Sequence, residues 1–137
     1  MEVEPLVGIV VVSHSSRIAE GTVELARQMA GPDLRILAAG GASDGSLGTD
    51  ATAIADAIVA ADAGAGVVVL ADLGSAVLAT KTALLVIDPD LAARVRLSGG
   101  PLGEGAVVAA VQASVGDPVD DVLAAAVVAG TLDKHVD

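Results

Sequence analysis

A chain of 137 residues is the size of one domain and long enough to bury a core. No residue is aromatic while 53% are hydrophobic, so that core must be built from Ala, Val, Leu and Ile. Seven basic residues against 18 acidic ones give a formal charge of −11, and without a basic stripe or a stacking platform this argues against nucleic acid and anionic membranes as partners.

The first apolar run, 7–12 (VGIVVV), predicts a strand apolar on both faces, as in the middle of a parallel sheet. It follows two glutamates and is too short for a signal peptide or a membrane span, so we expect a cytoplasmic protein. The helix after it should carry Ile18, Leu25 and Met29 on its inner face, with Arg17, Glu20, Glu24 and Arg27 outward. A second strand is expected over 34–39 and a second helix from about Asp50 to Asp62, with Ile54 and Ile58 inward and Gly64 as its stop. The run 67–71 (VVVLA) predicts another central strand. A helix from about Ser75 to Ile87 is halted before Pro89. A weaker strand over 94–98, charged at Arg94 and Arg96, belongs at or near an edge. Two last helices are expected over roughly 103–114 and after Asp117, where Asp117 can cap and Pro118 can take the first helical position. This alternation predicts an α/β, doubly wound, mainly parallel sheet of four to five strands flanked by helices, with 1–137 as a single domain.

In such sheets ligands bind beyond the carboxyl ends of the strands. The segments expected there are Ser13-His14-Ser15-Ser16, the glycine-rich 40–50, Asp72-Leu73-Gly74-Ser75 and the glycine-rich 99–105. His14 is one of two histidines, and just before a helix its imidazole is favoured in the neutral form, as a nucleophile, a base or a metal ligand. A metal site is not expected: there is no cysteine, His135 lies close to the last residue, and Asp44, Asp50 and Asp72 would not need His14. A hydrolase triad fits poorly, because Ser13 and Ser15 are neighbours of His14 in sequence and Ser75 lacks the nucleophile-elbow pattern. No lysine follows the glycine-rich loop, so a bound nucleotide is not expected either.

Attack of the histidine on phosphorus remains. Ser15, Ser16 and the first backbone N–H groups of the helix could receive phosphate oxygens, as could Gly74 and Ser75 at a second helix start. Asp72 is the natural group to orient the ring, and its competing reading is a helix cap. Thr49 and Asp50 read more simply as caps.

The stretches VGIVVVSHSSRIAEGTVELARQMAG (7–31), GTDA (48–51), VVVLADLGSAVLATKTAL (67–84) and VRLSGGPLGEGAVVAAVQASVG (95–116), in that order, resemble the DhaM family. These are phosphoryl-donor subunits of the phosphotransferase-system-dependent dihydroxyacetone kinase, and the likeness extends more distantly to mannose-family enzyme IIA domains. The resemblance implies a homodimer in which the phosphocarrier protein HPr phosphorylates His14. It implies onward transfer to ADP held by the nucleotide-binding kinase subunit, whose ATP then serves the dihydroxyacetone-binding subunit. No cofactor would be bound directly. Asp72 would orient His14, Gly74 and Ser75 would share its turn, and Gly48, Thr49 and Asp50 would flank the site. Some members carry HPr-like and enzyme-I-like domains on the same chain; here separate donor proteins are expected. The short turn DLGSA, without the tryptophan usual in sugar-transport relatives, favours the kinase role. The alternatives are a mannose-family sugar-uptake enzyme IIA and a non-catalytic regulatory domain of the same fold.

Overall fold

The computed structural model describes residues 4–136. Four aliphatic runs form strands β1 (Gly8–Ser13), β2 (Ile36–Gly40), β3 (Val67–Ala71) and β4 (Val95–Ser98). They lie in one parallel sheet of order β2-β1-β3-β4. The two runs that are apolar on both faces are central, because both faces of a parallel sheet are covered, and the arginine-bearing β4 is at an edge. The strand count is at the lower end of the expected four to five.

Six helices connect and follow the strands: α1 (Ser16–Arg27), α2 (Ala51–Ala61), α3 (Gly74–Val86), α4 (Pro89–Ala92), α5 (Leu102–Ser114) and α6 (Val119–Val128). Side-chain alternation along the strands builds two cores. Ile9, Val11, Val68 and Leu70 pack under α1, α5 and α6, whose inner faces are mostly alanine. Val10, Val12, Val67 and Val69 pack under α2 and α3, with Ile54 and Ile58 between them. Alanine and glycine on the helices let them sit close to the sheet, which is how a chain without aromatic residues fills its interior. In α5, Gly105 lies directly against the Leu70 side chain.

Three expectations are corrected. The buried side of α1 is Ala19 and Ala26 with Val23, whereas Ile18, Leu25 and Met29 are each about half exposed. The cause is how closely α1 approaches β2: a Cβ at Gly40 would lie 2.7 Å from the Ser15 carbonyl oxygen and the Ser16 Cα. Only small side chains fit under a helix held that near. Pro89, expected just to halt α3, also starts a new turn, α4, with the Asp88 carboxylate accepting from the Asp90 N–H. Finally, α6 begins at Val119, Pro118 is the extended residue before it, and Asp117 does not cap.

At the amino ends of the strands, Asp62 anchors the connection between α2 and β3. It accepts from the Gly64 and Gly66 N–H groups and from the guanidinium of Arg94, 2.6 Å away at the closer contact. The side-chain hydrogen bond from Arg94 is the largest influence holding the Asp62 carboxyl below its usual 3.8.

Candidate functional site

The site forms where β1 and β3, adjacent and parallel, both end. Val12 pairs with Ala71, so one step further Ser13 stands beside Asp72. Both residues continue the parity of Ile9, Val11, Val68 and Leu70, and their side chains therefore leave the sheet on the same face. The Ser13 hydroxyl is fully buried and donates to Asp72 Oδ2 at 2.8 Å.

His14 follows as the chain leaves β1. Its backbone N–H also donates to Asp72 Oδ2, at 3.1 Å, and its ring Nδ1 meets Asp72 Oδ1 at 2.9 Å. The Leu73 N–H donates to Oδ1 at 2.8 Å. Asp72 thus receives hydrogen bonds from Ser13, from His14 twice and from Leu73. Burial pushes its carboxyl up, but the donors of Ser13, His14 and Leu73 together outweigh this and hold it below the usual 3.8.

An ionised carboxylate only accepts, so the proton between it and the ring belongs to His14 Nδ1. In the neutral ring Nε2 then keeps its lone pair and accepts from the hydroxyl of Ser75, the second residue of α3. The imidazole side chain remains 25% exposed, so the ring is held on one side and reachable on the other. Such a ring can attack an electrophile or accept a proton at Nε2.

The other expected residues have mixed placements. Ser15 caps α1, accepting from the Ile18 N–H at 3.3 Å while its own N–H donates to Ser13 Oγ. Ser16 opens α1, half-buried beside Gly41. Gly74 opens α3, with no heavy atom within 4 Å of the place a Cβ would take. Asp72 does not cap α3, whose capping residue is Leu73. Asp50 does cap α2, accepting from the Thr52 and Ala53 N–H groups, and half-buried Thr49 precedes it. The 40–50 loop is fastened beside the site by the Gly48 N–H, which donates to the His14 carbonyl at 2.9 Å. In the 99–105 segment, Gly100 is set against Ala126 of α6 and its N–H donates to Ser98 Oγ at 3.0 Å.

Ser13 is the residue that sequence reasoning missed. Beside His14 it reads as a poor nucleophile, yet its signal is present: it ends β1, Asp72 directly follows β3, and one step beyond the paired Val12 and Ala71 the two come together. Among the described residues, no group of three or more acidic or histidine side chains converges as a metal site. An apolar groove of about 350 Å³ between α1 and α5, lined by Leu25, Val107, Val108 and Leu132 among others, holds none of the site residues.

The family model EIIA-man, described as "PTS system fructose IIA component", matches residues 8–123. The chain is 44% identical over 121 residues to the "PEP-dependent dihydroxyacetone kinase, phosphoryl donor subunit DhaM" of Escherichia coli (strain K12), which covers 86% of this chain but 26% of that protein. It is 39% identical over 118 residues to the "PEP-dependent dihydroxyacetone kinase 2, phosphoryl donor subunit DhaM" of Listeria innocua, covering 86% of this chain and 94% of that one. The chain therefore spans about a quarter of the enterobacterial relative and nearly the whole of the Listeria one. Among solved structures, a protein of unknown function, EF1359, superposes with a TM-score of 0.78 at 39% identity, over 88% of this chain and 92% of its own. The mannose/sorbose-specific IIA subunit of the phosphotransferase system from Enterococcus faecalis superposes at 0.58 with 22% identity, covering 96% of both chains, a likeness of fold.

Proposed function

This chain belongs to the family of PTS system fructose IIA components and is related to DhaM phosphoryl-donor subunits, and on that footing we propose that His14 is a phosphoryl acceptor and donor. The observation that carries this is the arrangement of the ring: Nδ1 is held by Asp72 while Nε2 faces the Ser75 hydroxyl on a side chain that stays partly exposed. In uptake, the Nε2 lone pair forms the new N–P bond as the bond from phosphorus to the carrier breaks, and that electron pair returns to the carrier. The proton stays on Nδ1, where the Asp72 carboxylate offsets the positive charge the ring acquires. Ser75 turns aside as phosphorus arrives, and its hydroxyl then serves a phosphoryl oxygen. The N–H groups at the starts of α1 and α3, including those of Ser16 and Gly74, lack helical acceptors and suit the other oxygens.

The donor in this reading is HPr, and the acceptor is ADP held by the nucleotide-binding subunit of a dihydroxyacetone kinase, which works with a dihydroxyacetone-binding subunit. The chain itself needs no bound cofactor. Gly48, Thr49 and Asp50 shape the flank of the site. Among the described residues no helix is long and apolar enough to cross a membrane, and we place the relay in the cytoplasm. We also propose a homodimer formed through α3. From Leu73 to Ile87 the chain holds no acidic residue, and Leu78, Leu85 and Val86 are 65%, 84% and 72% exposed.

The test is incubation with enzyme I, HPr and phosphoenolpyruvate, followed by mass spectrometry under alkaline conditions in which phosphohistidine survives. Label on His14 is expected in the wild type, none in His14→Gln, and loss of the label on adding the ADP-loaded kinase subunit. Persistent label in His14→Gln would remove His14 as the acceptor. Label discharged only by a sugar-transport component would favour the uptake role instead.

A further inference from the structure

We propose that Ser13 is a positioning residue that sets the tautomer of the neutral His14 ring through Asp72. Its hydroxyl sits between two groups and satisfies both: Oγ–H donates to Asp72 Oδ2 at 2.8 Å, and the Oγ lone pair receives the Ser15 N–H at 3.1 Å. The oxygen is buried with the rest of the residue, so water cannot replace it easily. The carboxylate decides the direction of the first bond: it can only accept, so the hydroxyl proton is turned to it while an Oγ lone pair takes the Ser15 N–H.

The consequence falls on the ring. Asp72 has two oxygens with separate tasks, Oδ2 gripped by Ser13 and the His14 backbone, Oδ1 facing His14 Nδ1 and the Leu73 N–H. Gripping Oδ2 fixes rotation of the carboxylate about its own bond, and that rotation determines whether Oδ1 lies in line with Nδ1. A carboxylate held in line keeps the proton on Nδ1 and the lone pair on Nε2. Without the Ser13 hydroxyl, Oδ2 keeps only the longer bond from the His14 N–H. The carboxylate can then turn, and the ring samples the other tautomer, in which Nε2 bears the proton and cannot attack.

The kinetic part of this inference rests on His14 being the phosphoryl acceptor; the tautomer part does not. The experiment therefore reads both in Ser13→Ala, which removes one atom from a packed site. Nitrogen-15 NMR of the ring, at a pH where it is neutral, should report the Nδ1–H tautomer as dominant in the wild type and a mixture in the variant. Phosphoryl uptake from phosphorylated HPr should slow roughly tenfold, with the half-saturating concentration of the donor unchanged. Ring nitrogen shifts identical in the two proteins overturn the inference, whatever the rates. If the wild type takes up no phosphate at all, the functional reading fails, and the tautomer comparison still decides the role of Ser13.

Discussion

Asp72 carries its negative charge in a place mostly withdrawn from water, and every part of the site depends on that charge. Burial alone would favour the protonated form; the donors from Ser13, His14 and Leu73 reverse the balance and depress the carboxyl. A depressed folded value means the unfolded chain binds the proton more readily. The stabilisation is therefore complete above the ordinary value of 3.8 and is lost as pH falls through the lower folded one. Asp72→Asn removes the titration and turns an amide toward donors that need an acceptor, costing about 1–2 kcal/mol at neutral pH. Thermal unfolding should accordingly decline less steeply on the acid side in the variant than in the wild type, and phosphoryl uptake should fall by about 10–100-fold. Parallel acid limbs would mean that the carboxylate contributes nothing ionic to the fold. At this scale His14, Asp72 and Ser75 were legible in the sequence, because a histidine and an aspartate at the ends of two central strands have to meet at one rim. The part of Ser13 was hidden by its nearness to His14 in sequence. Adjacency drew attention to the ring, which it does not touch, and away from the carboxylate 59 positions later, which it does.

Spacing places the five longer helices along the chain, with the start of α6 slightly shifted, but not the short α4 and not the inner face of α1. Hydrophobicity picked out Ile18, Leu25 and Met29, whereas the fold needed the smallest residues where α1 crosses the end of β2. Nothing local announces such an approach, since it depends on Gly40 in another element. This gives two glycine substitutions of opposite sign. Gly40→Ala puts a methyl group 2.7 Å from backbone atoms of Ser15 and Ser16, which cannot move without moving His14. It should destabilise by about 1–3 kcal/mol and slow phosphoryl uptake as well. Gly21→Ala, exposed in the middle of α1 with nothing within 4 Å of the new atom, should stabilise by up to about 1 kcal/mol and leave uptake alone. Chemical denaturation of the two variants measures both signs; an unperturbed Gly40→Ala would show that α1 has room to withdraw. The short helix α4 has the same lesson at a smaller scale. A proline ends the helix before it and suits the first turn of the next, and the sequence by itself does not say which use prevails.

A molecule with a formal charge of −11 repels its own copies, which favours association through a surface without acids and with exposed apolar area. The surface of α3 meets both conditions. Its one charged residue is Lys81, and its composition reflects this, being apolar on the side away from the sheet as well as toward it. The sequence predicts α3 as a helix but points to no dimer surface, because an unamphipathic helix gives no direction from periodicity. The structure supplies one by burying Ala76, Thr80 and Ala83 and leaving Leu78, Leu85 and Val86 outside. Leu85 lies ten residues beyond Ser75 along α3, about 15 Å at the helical rise, so a dimer built around it leaves His14 open to a carrier. Leu85→Glu puts a like charge at the centre of that contact and should yield monomers in sedimentation experiments while His14 still takes up its phosphoryl group. Raising the ionic strength should tighten the wild-type dimer, because screening weakens the long-range repulsion more than it touches apolar contact. A wild type that sediments as a monomer at every salt concentration, or a variant that still dimerises, would place the association elsewhere or remove it.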